Sequence, residues 1–222
     1  MIKEPEILFE DKDILICRKP AGVATQTKRL GQQDMESLLK NYRAKKGEPP
    51  YIGIVHRLDQ PVEGLMVFAK NQQAAANLSK QVQDRVIGKY YYAVSAGLPK
   101  ESEAVLEDYL LTDKKTNVTQ IVDENTNGAK RAKLEYKVVN TKENKTLFDI
   151  KLHTGRQHQI RVQMANVGCP LVGDNKYGQD KSGVGLGLCS YRLEFIHPQT
   201  KKTMNFEIKP CGELFAGFLA TS

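Results

Sequence analysis

The tightest constraint on this chain is a strict alternation of apolar and polar residues in its second half. Ala132, Leu134, Tyr136 and Val138 occupy every second position, and Phe148, Ile150 and Leu152 repeat the pattern soon after. Period two is the signature of a strand with one buried and one wetted face. Such strands pair antiparallel and need a second layer over their apolar side. Helical spacing supplies that layer. Met35, Leu38, Leu39 and Tyr42 follow Asp34, an N-cap residue, and Gly47 stops the run. Ala75, Leu78, Val82 and Val86 mark a helix over 71–86, and Ile160, Met164 and Val167 mark a third from Thr154 to Gly168. Further strand-like runs are ILF, DILIC, YIGIV, LMVFAK, KYYYAVSA and the pair CSYRLEFIH and TMNFEIK. The segment Asp123–Gly128 reads as a hairpin loop. The pattern predicts an α+β fold.

Composition narrows the classes of function. With 40% hydrophobic and 27% charged residues over 222 positions, the chain can bury a core without disulfide staples. Cys17, Cys169, Cys189 and Cys211 are far apart with no C-x-x-C pairing, so reduced thiols, with neither disulfide framework nor structural zinc, are expected. The opening MIKEPEILFEDKD has no apolar core, and no stretch approaches the ~20 apolar residues of a bilayer span. A cytoplasmic protein is expected. The formal charge of +7 favours polyanionic partners without naming one.

Three polar clusters interrupt the apolar elements. His56-Arg57-Leu58-Asp59 lies between two apolar runs, where a carboxylate suits a nucleophile or base and an arginine suits a phosphate. A surface turn with a local ion pair fits the same four residues. The segment His153-Thr154-Gly155-Arg156-Gln157-His158-Gln159-Ile160-Arg161 opens a helix with cationic side chains, with Thr154 as its expected cap, and suits an anion or a plain solvated helix start. Its two histidines lack H-x-x-x-H spacing, so no metal site is expected. In Lys89-Tyr90-Tyr91-Tyr92, Tyr91 faces away from its neighbours, as either a base-stacking platform or a core tyrosine. No G-x-x-x-x-G-K-[ST] loop occurs.

In combination and in order, the clusters resemble a known family. IVHRLDQPVEGLMVFAK is similar to the catalytic motif of the RluA-type RNA pseudouridine synthases, H-R-L-D followed downstream by G-L. TGRQHQIRVQMANVGCPLVGDNKYG resembles that family's G-R-x-H-Q-I-R segment and its closing G-D-x-x-Y-G. ILFEDKDILICRKPAGV looks like its first strand pair, with Lys19-Pro20-Ala21-Gly22 at the turn, and LCSYRLEFIHP like its late strand.

The resemblance implies a single pseudouridine-synthase-like catalytic domain over 1–222, with a central mixed, mostly antiparallel β-sheet and no N-terminal RNA-binding accessory domain. It implies Asp59 as catalytic carboxylate, Tyr91 as the base platform and Arg161 as the partner of the aspartate. Arg57 becomes the residue that enters the RNA stack, with His56, Arg156, Gln157 and His158 beside it as RNA contacts. Ribosomal or transfer RNA is the expected partner of a monomer, with no cofactor, metal or membrane. The uridine must leave its stack, lose its N1–C1′ bond, turn and rejoin through C5. Where the family commonly has a hydroxyl pair before the glycine, this chain has Val62-Glu63, and Glu63 is expected to point outward. A catalytically idle RNA-binding module of the same fold is the alternative. A glycosidase would want a second carboxylate ~5–9.5 Å away, and Glu63 is the one candidate.

Overall fold

The computed structural model describes residues 4–29, 31–178 and 183–219. They form two compact units. The first holds the residues up to Gly88 together with Ser190–Ile208, and the second Lys89–Cys189 with the residues from Lys209 onward. The α+β class expected from the pattern is the class observed.

In the first unit, β1 (Glu6–Glu10), β2 (Ile14–Lys19) and β4 (Glu63–Ala69) pair antiparallel in that order. The short β3 (Gly53–Ile54) pairs with the end of β4, so the apolar run YIGIV gives only two strand residues. Every residue of β4 is buried, which explains why LMVFAK shows no alternation. Helix α1 (Met35–Lys45) starts at the expected cap, where Asp34 and Ser37 close a reciprocal capping box. Helix α2 (Gln72–Gln83) is capped by Asn71, whose side chain accepts from the Ala74 N–H.

In the second unit, β5 (Gly88–Ala96) pairs with β9 (Lys145–Leu152), β9 with β8 (Lys130–Lys142), β8 with β6 (Glu103–Asp113), and β6 with β7 (Val118–Val122), all antiparallel. The alternating Ala132, Leu134 and Tyr136 are buried, as their spacing requires. The segment Asp123–Gly128 corrects the hairpin expectation. Because β6 lies between β7 and β8, this segment steps over a strand rather than joining neighbours, and the tight hairpin is the one between β6 and β7.

Helix α3 (Gln159–Asn166) begins five residues later than Thr154. Thr154 is occupied elsewhere: its hydroxyl accepts from the Lys133 N–H and donates to Gln159 Oε1. The N-cap position falls to His158, left-handed at φ 53° and without a side-chain cap. Strand β10 (Leu188–Ile196) pairs through Arg192–Ile196 with β11 (Thr203–Glu207), and α4 (Glu213–Ala216) is the last described helix.

Candidate active site

Asp59 sits in the segment joining β3 to β4, and the backbone is held on both sides of it. Upstream, the Thr25 hydroxyl donates to the Leu58 carbonyl (3.0 Å) and accepts from the Leu58 N–H (3.2 Å). Downstream, the Gln60 carbonyl accepts from the Gly22 N–H (2.9 Å) and from the Lys19 ammonium (3.0 Å), while the Gln60 amide donates to the Gly22 carbonyl. A turn closes from the Val62 N–H to the Asp59 carbonyl (3.0 Å). The half-buried carboxylate is thus carried by a backbone with little freedom, the preorganisation that positioned chemistry requires. His56 fixes the entrance, because its Nε2 accepts from the Val67 N–H of β4. Arg57 is exposed and touches Gln26 at 3.3 Å.

Lys19 is completely buried at the end of β2. Its ammonium donates to three carbonyls, of Pro20 (3.0 Å), Val23 (2.6 Å) and Gln60. Three acceptors match the three N–H donors of the charged form. Burial pulls its pKa from 10.5 down to about 7, against the opposing charges of Asp59 and Glu63. Glu63 therefore departs from expectation: it is buried, not outward. It opens a strand covered on both faces, and Lys19 lies opposite its neighbour Gly64 in register, so an internal cation replaces water as its counter-charge.

The other candidates lie in the second unit. Tyr91, on β5 opposite Ile150 of β9, is 6% exposed. Arg161, in the first turns of α3, makes a bidentate ion pair with buried Asp174, Nε to Oδ2 at 2.8 Å and Nη2 to Oδ1 at 2.7 Å. Burial alone would raise the Asp174 pKa, but the Arg161 fork and the N–H groups of Lys176 and Tyr177 outweigh it and lower it. The Tyr177 ring lies under the guanidinium, 5.2 Å from ring centre to Cζ. The Tyr177 hydroxyl meets His158 Nδ1 at 2.7 Å and accepts from the Thr119 N–H. His158 is thus a buried ring tied to Tyr177. Gln157 is exposed and reaches Asn117 Oδ1, and half-buried Arg156 donates through Nε to the Arg131 carbonyl. Residue reasoning missed Lys19, Thr25, Asp174 and Tyr177. Lys19, Asp174 and Tyr177 stand inside the K-P-A-G and G-D-x-x-Y-G motifs, which were the available signal.

One cluster among the described residues has metal-ligand composition: Asp11, Asp13 and His197, with ligand atoms all within 4.8 Å of one another. Its hydrogen bonds argue against a cation. His197 Nδ1 accepts from the Gln199 and Thr200 N–H groups, which puts the ring proton on Nε2, aimed at Asp11 Oδ2 (2.7 Å). That tautomer has no lone pair left for a metal, and the cluster ties two turns together. Each cysteine is a free thiol. No described helix is long and apolar enough to cross a membrane.

The family model described as RNA pseudouridylate synthase matches residues 13–166, the span that carries the Asp59 segment, Tyr91 and Arg161. The chain belongs to that family. It is of the RluA type. A relative from Bacillus subtilis, an uncharacterized RNA pseudouridine synthase YhcT, is 34% identical over 89% of this chain and 66% of its own length. Ribosomal large subunit pseudouridine synthase D of Zymomonas mobilis is 33% identical over 91% of this chain and 68% of its own. The chain thus spans about two thirds of the length of these relatives. Human RNA Pseudouridylate Synthase Domain Containing 4 shares the fold of this family member, with a TM-score of 0.76 at 22% identity over 93% of this chain and 89% of that one.

Proposed function

We propose that this protein isomerises uridine to pseudouridine in RNA, with Asp59 as the catalytic carboxylate. The observation that carries the reading is the immobilised Asp59 segment, gripped by Thr25 on one side and by Lys19 and Gly22 on the other, within the span matched by the family. Asp59 acts at the sugar as nucleophile or base while the N1–C1′ bond breaks. The base turns, C5 bonds to C1′, and the C5 proton leaves as N1 gains one. Atoms and electrons balance without a donor or an oxidant. Tyr91 serves as the platform for the detached base and Arg161 as the catalytic cation, its guanidinium held in place by Asp174. Exposed Arg57 enters the stack vacated by the flipped uridine, and Arg156, Gln157 and His56 are further RNA contacts, whereas His158, expected from the resemblance to touch RNA, is buried and holds Tyr177 instead.

The names of relatives from Zymomonas mobilis and Rickettsia bellii, ribosomal large subunit pseudouridine synthases D and C, support ribosomal RNA as the first substrate to test. Transfer RNA is the second. Unmodified transcripts of large-subunit ribosomal RNA and of transfer RNAs, incubated with the purified protein, are expected to gain pseudouridine at discrete sites. RNA binding without product on any transcript or on total cellular RNA would favour the idle module instead. The buried seat of Glu63 beside Lys19 speaks for the enzyme, because its charge is matched internally and does not confront an approaching phosphate.

A further inference from the structure

Four cations of the second unit's strands have an acid beside them. Arg131 and Lys133 share Glu107 at 2.6 and 3.7 Å, Lys137 meets Glu103 at 3.4 Å, and Lys151 meets Glu135 at 3.4 Å. Two further cations, Lys89 and Arg156, have no acid beside them among the described residues, and the charge of one acts on the other. Lys89, at the start of β5, is half-buried, and its ammonium makes no hydrogen bond or ion pair among the described residues. It lies against the 153–158 turn, where a Cβ built on Gly155 would stand 3.2 Å from its Nζ. Burial first, and then the positive charge of Arg156, lower the Lys89 pKa.

Arg156 cannot swing away freely. Its backbone N–H donates to Gln159 Oε1 (3.1 Å) and its Nε to the Arg131 carbonyl (2.9 Å). Gln159 is itself fixed through Gln163 to Asp108, by bonds of 3.0 and 2.6 Å. A buried polar chain therefore holds one cation beside another that burial has partly stripped of water, with no carboxylate paired to either among the described residues. Like charges so placed repel, and the arrangement is relieved when an anion sits against both. Gly155 is exposed and carries no side chain, so the approach to Lys89 stays open.

We propose that Lys89 and Arg156 form a seat for one phosphodiester group of the RNA backbone, with Gly155 as the gap that admits it. Two fixed cations suit a tetrahedral anion, with a guanidinium fork on one side and a point charge on the other. The proposal rests on RNA as the substrate, and it assigns to Lys89 a binding role that the sequence motifs did not.

The test measures RNA affinity against salt in Asp59→Asn protein, so that turnover does not enter. Lys89→Met keeps the aliphatic stem and removes the charge. Its log Kd against log salt is expected to lose about 0.7–0.9 of slope, one phosphate contact. Lys89→Arg is expected to restore the slope. Lys80→Met, which removes an exposed cation paired with Asp84 at 2.9 Å, serves as the charge control and keeps the parent slope. An unchanged slope in folded Lys89→Met, or an equal loss in Lys80→Met, overturns the seat. The two readings fail separately. Wild-type protein that forms no pseudouridine, with the Lys89 slope effect intact, sinks the activity alone. Pseudouridine formation with no Lys89 effect sinks the seat alone.

Discussion

Thr25 and Leu58 are 33 positions apart in sequence, yet a single hydroxyl serves both the N–H and the carbonyl next to Asp59. Thr25→Val keeps the shape and leaves both backbone groups buried without that partner. The expected cost is about 1–3 kcal/mol, read as a lower urea midpoint, together with a fall in kcat from a looser carboxylate. Unchanged kcat would show that Asp59 does not depend on this grip. Lys19 gives a pH signature. Unfolded, its lysine keeps its proton to about 10.5, whereas the folded protein releases it near 7. Between these values the unfolded state binds more protons, so stability is expected to climb as pH rises from about 7. Lys19→Met lacks that climb, and Glu63→Gln, which removes a charge holding the proton on, starts it at lower pH. Identical pH profiles in all three proteins would contradict the arrangement. The grip of Thr25 on Leu58 and of Lys19 on Gln60 was not legible in sequence, because each joins residues tens of positions apart. The outward expectation for Glu63 failed for the same reason: its counter-charge lies on another strand.

At the scale of elements, local rules predicted the starts of α1 and α2 because their caps are local, Asp34 with Ser37 and Asn71 with Ala74, whereas α2 ends at Gln83 and leaves Val86 exposed. Helix α3 was misplaced at its start because Thr154 gives its hydroxyl to distant Lys133 and to Gln159 instead of capping. β4 was legible as an apolar run, but the need for its glycine was not. Gly64 has φ +134°, and a Cβ there would stand 2.4 Å from the Ser190 carbonyl oxygen. Gly64→Ala combines backbone strain with a collision against main chain that cannot rotate aside. The expected loss is about 3 kcal/mol or more, which lowers Tm by about 6–12 °C. A Tm within 2 °C or so of the parent would mean that β4 adapts to a side chain there.

At the scale of the molecule, the charge of +7 acquires locations rather than acting as a uniform coat. Lys137, Lys151 and Arg131 are matched by acids, while Lys89 and Arg156 have none among the described residues and Arg57 is exposed. The order of the motifs revealed the family, whereas the support around each motif came only from the fold. The proposed isomerisation conserves every atom of the base and sugar, and the Asp11–Asp13–His197 cluster has its ring lone pair occupied. Activity on a short RNA that folds without divalent ions is therefore expected to survive excess EDTA. Loss of turnover under EDTA, restored by a divalent ion, would place a metal in the reaction. The central claim, that Asp59 performs the chemistry, is tested most directly by Asp59→Asn, which keeps size and removes charge. Pseudouridine formed per enzyme on a transcript that the wild type modifies is the quantity to measure, with folding checked by thermal melting. The expected rate is lower by on the order of 10⁴-fold or more in a folded variant, and a folded Asp59→Asn protein with wild-type turnover would remove Asp59 from the chemistry.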